Sequence, residues 1–387
     1  MSLINMPLLD SEGRSHQYLR ISLTEACNLR CIYCRPEEDT QPAVPSIPYE
    51  QCIQIVSLAA RFGFRKVRLT GGEPLLHPEI EKIVQGISTL PGIEDVSLTT
   101  NGTLLRDRIQ ELKRGGVRRI NISLDSLQEE TYARITRSGS LSQVLAGIEA
   151  ALQAGLQPVK LNVVLLKGIN EEEIPQFLAF ARDNPVQVRF IECMPFLPSA
   201  TTLFIPADIV KQRAWEAGIP LVPVPPETKG LLDGPAELFQ IPGGKGLVGL
   251  IHPMSRHFCN QCNRLRVTAE GTLRPCLLRD QEVPLGNVLP DPDQAYQAFR
   301  KALKLKKPSH SMGIPLVTIG APLVSMGVLL DSKCVPLDSM DAPPESKGVP
   351  PNLEVPIEEP AKPGNRSFGG KIPAGGMPVK RMYAIGG

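Results

Sequence analysis

The sequence predicts an α/β fold in which parallel strands alternate with helices as a partial (β/α)6 TIM-type barrel. Residues 17–192 repeat one unit six times: a short β-branched run, a loop, and then an amphipathic stretch. Alternation of strands and helices at this spacing is typical of a parallel sheet with helical crossovers. Six units are two fewer than a closed (β/α)8 barrel contains, so we expect an open barrel.

The individual elements follow from hydrophobic periodicity and from their boundary residues. Predicted strands cover residues 18–23, 66–69, 95–99, 119–124, 159–165 and 187–192. Predicted helices cover residues 48–62, 78–90, 106–115, 141–154 and 171–182. Several of these helices begin with a capping residue or a proline and end near a glycine, as at Gly63, Gly115 and Gly155.

The chain beyond the repeating units has a different composition, which predicts further domains. After a barrel domain at 1–225, short glycine-punctuated strands at 246–252 and 265–268 predict a smaller C-terminal α+β domain over 226–330. Residues 331–380 contain ten prolines and little periodicity, and predict a disordered Pro-rich linker. The chain then ends in a short tail, 381–387.

Composition excludes several classes of partner. The formal net charge of +2 over 387 residues gives no sign of a nucleic-acid or anionic-membrane partner. The sequence has no apolar run of membrane-spanning length and no secretory signal, so we expect a cytoplasmic protein. Nine cysteines, an odd number, argue against a disulfide framework. Cysteines that bind an iron–sulfur cluster, as proposed next, require a reducing compartment.

Three cysteines after the first strand form the most informative motif. Cys27, Cys31 and Cys34 have the spacing Cys-x3-Cys-x2-Cys, which can hold three corners of a cubane [4Fe–4S] cluster and leave the fourth iron open. The alternative is zinc, which usually takes four ligands and commonly uses paired Cys-x2-Cys units. With the aromatic Tyr33 before the last cysteine, the motif resembles the radical S-adenosylmethionine (SAM) superfamily. The resemblance implies that the open iron binds SAM and that one electron cleaves SAM to a 5′-deoxyadenosyl radical.

The segment Gly71-Gly72-Glu73-Pro74 follows the second strand. It could be only a tight turn, but glycines let backbone approach a ligand closely and a carboxylate can accept from an ammonium. The resemblance implies that this segment binds the SAM amino group. It also implies SAM contacts from Ser123 on the ribose side and from Gly72, Tyr33 and Met194 on the adenine side. A methionine after a strand is otherwise a core residue.

A second set of three cysteines, Cys259, Cys262 and Cys276, repeats the three-ligand pattern. We expect a second [4Fe–4S] cluster here, with a Cys3His zinc site using His252 or His257 as the alternative.

Cations occupy strand interiors, where each needs an anionic partner. Arg264 and Arg266 alternate after Cys262, so both can face the same way. Ion pairs with carboxylates would explain one such residue. Six on strands that we expect to converge at one mouth indicate a polyphosphate site instead, with Lys66 as a seventh member. The six are Arg20, Arg68, Lys160, Arg189, Arg264 and Arg266.

Taken together, the chain resembles the GTP 3′,8-cyclase family of molybdenum cofactor biosynthesis. The matching stretches are GRSHQYLRISLTEACNLRCIYCRP, KVRLTGGEPLL, LTTNG, RRINISLDSL, VKLNVVLLKGIN, VRFIECMP, FCNQCNRLRVTAEGTLRPCL and the terminal IGG. The rivals are a radical SAM peptide-modifying enzyme, which usually carries more carboxyl-side cysteines, and a non-catalytic nucleotide-binding scaffold.

The resemblance implies a reaction and a set of roles. The C3′ hydrogen of GTP is abstracted and C3′ then attacks C8 of guanine, while the second cluster holds the base. The residues implied for GTP binding are Arg20, Arg68, Thr99, Lys160, Arg264 and Arg266. Gly386 and Gly387 are implied to enter the active site. Implied partners are a flavodoxin or ferredoxin as electron donor and cyclic pyranopterin monophosphate synthase downstream, and we expect a homodimer.

Overall fold

The computed structural model describes residues 8–36, 45–225 and 234–307. The strands of this part of the chain are β1 (Tyr18–Ser22), β2 (Lys66–Thr70), β3 (Asp95–Thr100), β4 (Arg119–Ser123), β5 (Val159–Leu165), β6 (Val186–Glu192), β7 (Val222–Pro223), β8 (Glu237–Gln240), β9 (Leu247–Ile251), β10 (Arg264–Val267), β11 (Thr272–Arg274) and β12 (Val283–Pro284). The helices are α1 (Tyr49–Arg61), α2 (Ile80–Ser88), α3 (Leu105–Arg114), α4 (Glu129–Thr136), α5 (Leu141–Gln153), α6 (Ile174–Asp183), α7 (Ile209–Glu216) and α8 (Pro292–Lys304).

The six predicted barrel strands are confirmed. Strands β1 to β6 lie side by side in sequence order, and each pairs in parallel with the next. Helices connect them, as parallel neighbours require. The prediction of a partial TIM-type barrel is therefore correct.

The sheet extends beyond these six strands at both edges. β10 pairs in parallel with β1, and β9 pairs in parallel with β6, so eight of the twelve strands in the described residues run parallel. Antiparallel β11 and β12 continue one edge, and β8 and β7 continue the other. The strands expected in the C-terminal domain thus join the barrel sheet. The proposed domain boundaries stay predictions, and the Pro-rich stretch and the 381–387 tail lie outside the described residues.

The two faces of the sheet have opposite chemistry. Alternate strand residues such as Leu19, Ile21, Val67 and Leu69 are fully buried and form one apolar core with the helices. The other face, which we call the inner face, carries polar and charged residues, described below. The barrel is therefore held together from its outer face.

Helix α8 illustrates how local sequence fixes the outer layer. The Asp291 carboxylate accepts hydrogen bonds from the backbone N–H groups of Asp293 and Gln294, which caps the helix. Its Phe299 ring packs edge-on against Phe62 and Phe64, with centroids 5.3 and 5.8 Å away. This contact holds α8 against the end of α1.

Among the helices of the described residues, none has the length and apolar character needed to cross a membrane.

Candidate active site

The first cysteine loop follows the carboxyl end of β1. The Cys27 sulfur accepts a hydrogen bond from the Leu29 backbone N–H at 3.4 Å and lies 4.0 Å from the Asn101 side-chain nitrogen. Burial raises the pKa of Cys27 and of Cys31, so their thiolates need a compensating positive charge. Iron supplies that charge. N–H donors together with three half-buried thiols therefore fit a cluster with three protein ligands.

The glycine pair after β2 packs directly on this loop. The backbone N–H of Gly72 donates to the Thr24 carbonyl, and that of Glu73 donates to the Ala26 carbonyl, both at 2.7 Å. A Cβ atom on Gly71 or Gly72 would collide with these carbonyl oxygens. Glycine is needed here because two backbones meet without room for a side chain.

The carboxylate of Glu73 is fully buried and already engaged. One oxygen accepts from the Thr100 hydroxyl at 2.7 Å and from the Leu75 N–H at 3.0 Å, and the other accepts from the Asn101 N–H at 2.7 Å. Glu73 thus fastens the loop after β2 to the loop after β3. A carboxylate can accept more than these three hydrogen bonds, so the expected contact of this segment with the SAM amine stays a prediction.

One cavity joins the first cysteines to most of the residues expected to bind SAM. At its wall, the Tyr33 hydroxyl donates to the Asp125 carboxylate at 2.7 Å, whose other oxygen accepts from the Val164 N–H. Met194 is half-buried two residues beyond β6, outside that lining. The expected site residues that line the cavity are Cys27, Cys31, Cys34, Tyr33, Gly71, Gly72, Thr99 and Ser123.

The second cysteine set lies at the opposite end of the sheet. Cys259 and Cys262 precede β10, which runs parallel to β1, whereas Cys27 follows β1. Cys276 follows β11, which runs antiparallel to β10 and so returns to the same end. The chain therefore enters β10 from the side on which these cysteines lie. A five-residue strand, about 13 Å long, separates the two ends.

The two histidines of the zinc alternative contact other groups of the described residues, and the choice between zinc and a cluster stays a prediction. His252 contacts the Glu192 carboxylate at 3.4 Å and Arg256 at 2.7 Å, and His257 contacts the Pro253 carbonyl at 2.8 Å. Within the described residues, no three Cys, His, Asp or Glu side chains converge as they would around a single ion. Ligands at separate corners of a cluster are not required to converge in that way.

The predicted cations line the inner face between the two cysteine sets. Arg20 on β1 lies in register between Arg266 on β10 and Arg68 on β2. Tyr18 lies in register between Arg264 and Lys66. The expected alternation of Arg264 and Arg266 along one strand is confirmed. Lys160 is buried on β5, paired with Asn121 of β4 and Gln187 of β6.

Tyr18 is a member of this set that the sequence reasoning missed. Its ring centroid lies 4.8 Å from the Lys66 ammonium, 5.4 Å from the Arg20 guanidinium and 5.5 Å from the Arg68 guanidinium. Burial alone would raise the pKa of Tyr18, but the charges of Arg20, Arg68 and Lys66 outweigh burial and lower this pKa to about 7. The available signal was its position two residues before Arg20 on one strand, which places both on the same face.

Two of the buried guanidiniums have nitrogen atoms without partners among the described residues: Nη1 of Arg266 and Nε of Arg189. Arg189 donates instead to the side-chain oxygens of Asn121 and Asn162. Burial and neighbouring cations lower the pKa of Arg189 and of Arg266 to about 9. Buried donors without acceptors are costly, so this face is complementary to an anion rich in acceptors.

Comparison with known proteins agrees with this arrangement. The radical SAM superfamily model matches residues 21–181, and the model for Molybdenum Cofactor Synthesis C matches residues 186–312. A GTP 3′,8-cyclase of Listeria monocytogenes is 44% identical over 314 residues, which are 80% of this chain and 93% of the relative. The chain belongs to the GTP 3′,8-cyclase family. An iron–sulfur cluster and SAM come with its place in the radical SAM superfamily.

Other relatives extend this likeness across distant organisms. Proteins named GTP 3′,8-cyclase from Moorella thermoacetica and Thermodesulfovibrio yellowstonii are 43% and 44% identical, over 78% and 72% of this chain and 95% and 87% of theirs. Among solved structures, Streptococcus suis SuiB bound to the precursor peptide SuiA has a TM-score of 0.52 at 15% identity. The match covers 74% of this chain and 66% of SuiB, and at this identity it shows the fold alone.

Proposed function

We propose that this chain is a GTP 3′,8-cyclase that converts GTP to (8S)-3′,8-cyclo-7,8-dihydroguanosine 5′-triphosphate, the first step of molybdenum cofactor biosynthesis. The observation that carries the proposal is the inner face of the sheet. Its buried cations lie between two three-cysteine sets, one at each end of the strands. A nucleoside triphosphate presents a polyanion and a base at opposite ends, which suits such a face.

The end near β1's carboxyl terminus serves the radical chemistry. Cys27, Cys31 and Cys34 hold the first cluster, and the cluster and SAM, when bound, supply a 5′-deoxyadenosyl radical. The segment Gly71-Gly72-Glu73-Pro74 binds the SAM amino group, with Glu73 among the residues that contact it. Further SAM contacts come from Ser123, Tyr33 and Met194.

The inner face positions GTP. Arg20, Arg68, Lys160, Arg264 and Arg266 neutralise the triphosphate, and the unpartnered Nη1 of Arg266 supports this role. Thr99 lies in the cavity beside the first cysteines and contacts the nucleotide. The task of these residues is to hold C3′ beside the site of radical generation and to exclude water.

The second cysteine set faces the guanine end. Cys259, Cys262 and Cys276 would hold a second [4Fe–4S] cluster, which would supply a binding site for the base. Burial alone would raise the pKa of Cys262, but the charges of Arg264 and Lys306 lower it to about 5. The lowered pKa favours the thiolate form, which is the form that binds iron. Gly386 and Gly387, outside the described residues, enter the site from the C-terminal tail and complete it.

The surroundings of the reaction follow from its chemistry. A flavodoxin or ferredoxin supplies the electron, and cyclic pyranopterin monophosphate synthase consumes the product. Thiolate-bound clusters persist in a reducing compartment, which supports a cytoplasmic location. We include a homodimer in the proposal.

The deciding experiment follows one hydrogen atom. The anaerobically reconstituted chain is mixed with dithionite, SAM and GTP deuterated at C3′. The mass of the 5′-deoxyadenosine that forms is then measured by mass spectrometry. Deuterium in that product establishes GTP as substrate and C3′ as the site of abstraction. Unlabelled 5′-deoxyadenosine formed equally well without GTP would refute the cyclase.

Matched variants separate the parts of the site. Cys27→Ala abolishes 5′-deoxyadenosine formation, whereas Cys276→Ala keeps the first cluster and loses the cyclic product. Removal of Gly386 and Gly387 stops cyclisation without unfolding the protein. Full turnover by the Cys276→Ala variant, or by the variant without Gly386 and Gly387, would show that the residues changed in that variant are not part of the active site.

A further inference from the structure

The backbone at or near each cysteine of the second set accepts a hydrogen bond from a different cationic side chain. Arg14, from the segment before β1, donates to the backbone carbonyl of Cys259. Arg274, at the end of β11, donates through Nε to the carbonyl of Cys276 at 3.2 Å. Lys306, two residues beyond α8, serves the region of Cys262. Three distant parts of the chain thus meet at one cysteine set.

Lys306 makes the most connections of the three. Its ammonium donates to the carbonyl of Arg264 at 2.5 Å and to the carbonyl of Pro275 at 3.3 Å. Arg264 lies two residues after Cys262, and Pro275 lies directly before Cys276. Lys306 therefore ties together the two segments that carry these cysteines.

The charge of Lys306 differs from that of the two arginines. Arg14 is paired with Asp10 at 2.7 Å, and Arg274 is paired with two acidic residues, at 3.0 and 3.1 Å. Lys306 is 4% exposed, and within the described residues it forms no ion pair with a carboxylate. A buried ammonium without a carboxylate needs another negative partner. The nearest candidates are the thiolates of Cys262 and Cys276.

We propose that Lys306 is a positioning residue of the second iron–sulfur site, which fixes the Cys262 and Cys276 segments relative to each other and places a positive charge that no carboxylate neutralises beside their thiolates. The inference rests on the second cluster of the proposed function. A positive charge next to a cluster favours its reduced, more negative state. Lys306 therefore raises the midpoint potential of the second cluster and leaves the first cluster, at the other end of the sheet, unaffected.

The test isolates the second cluster in the full-length chain. Cys27, Cys31 and Cys34 are replaced by alanine, and Lys306→Met is compared with Lys307→Met, its exposed neighbour, in that background. Iron per chain and the midpoint potential of the reconstituted cluster are measured by colorimetry and by EPR-monitored redox titration. We expect Lys306→Met to load less iron and to give a lower potential, while Lys307→Met matches the parent.

Further outcomes separate the alternatives. Lys306→Arg keeps the charge, so we expect it to restore the potential even where iron loading stays reduced. Equal iron content and equal potential in Lys306→Met and Lys307→Met would overturn the role of Lys306. If Lys306→Met fails to fold, an unchanged potential in a folded Lys306→Gln variant would equally overturn it. A parent background that binds no iron would overturn the second cluster itself, and the proposal with it.

Discussion

Replacing Gly72 by alanine is expected to destabilise the protein and to weaken cluster binding at the first cysteine set. The new Cβ would collide with the carbonyl oxygens of Glu25 and Ala26, which belong to backbone and cannot swing away. Relief of the collision separates the two loops and breaks two hydrogen bonds, those to the Thr24 and Ala26 carbonyls. Each such bond contributes about 0.5–1.5 kcal/mol net.

The magnitude follows from this loss and from one opposing effect. Loss of both bonds costs about 1–3 kcal/mol, while alanine restricts the unfolded chain and returns about 0.4–1 kcal/mol. A net loss of about 1–2 kcal/mol lowers the melting temperature by roughly 2–8 °C. Gly286→Ala is the matched control, because no atom lies within 4 Å of a Cβ at Gly286. There only the stabilising effect operates.

The assay is thermal unfolding of the reconstituted proteins, followed by circular dichroism under anaerobic conditions, together with iron content. The two variants should shift the melting temperature in opposite directions, and only Gly72→Ala should lose iron. A Gly72→Ala protein that melts like the Gly286→Ala protein and keeps its iron would refute the close approach of the two loops.

Three further predictions concern the buried polar groups. GTP binding should weaken by about tenfold as pH rises from 7 to 8.5, because ionised Tyr18 repels the triphosphate and must take up a proton first. Calorimetric titration of Tyr18→Phe should show a smaller fall, which comes from Lys66, whose pKa burial lowers to about 8. An equal fall in both proteins would show that Tyr18 is not its cause. Tyr33→Phe removes the donor to buried Asp125 and should lower the free energy of unfolding in urea by about 1–3 kcal/mol. The same substitution should cost less in an Asp125→Asn background, and equal costs in the two backgrounds would contradict the pairing. Arg274→Met leaves the carboxylates of Asp280 and Glu282 without their partner and should lower the free energy of unfolding by about 2–4 kcal/mol. An unchanged urea midpoint would contradict this prediction.

Local features of the sequence were enough to predict the barrel strands and to single out the first cysteine motif. Strands β1 to β6 are β-branched runs, and the crossover helices between them dictate parallel pairing. The spacing of Cys27, Cys31 and Cys34 lies within one loop, so it needs no knowledge of the fold. Membership of the family and the alternating arginines of β10 followed from equally local patterns.

Long-range pairing and side-chain direction were not predictable in the same way. Nothing near Tyr18 or Arg264 shows that β1 and β10 are neighbours, so the place of the second cysteine set in the sheet could not be predicted. The sequence around Glu73 suggests a ligand contact, but its donors, Thr100 and Asn101, come from another strand. Lys306 follows a helix of ordinary composition, and its partners become visible only once β10 and β11 are in place.

The pairing of β1 with β10 has a consequence for biosynthesis of the chain. β1 is the first of these strands to leave the ribosome, and β10 emerges much later. At about 5–20 residues per second, translation takes roughly 12–50 s to pass from Ser22 to Arg264. During that interval one edge of β1 lacks its partner, and the nascent protein exposes an unpaired strand next to a loop of reactive thiols.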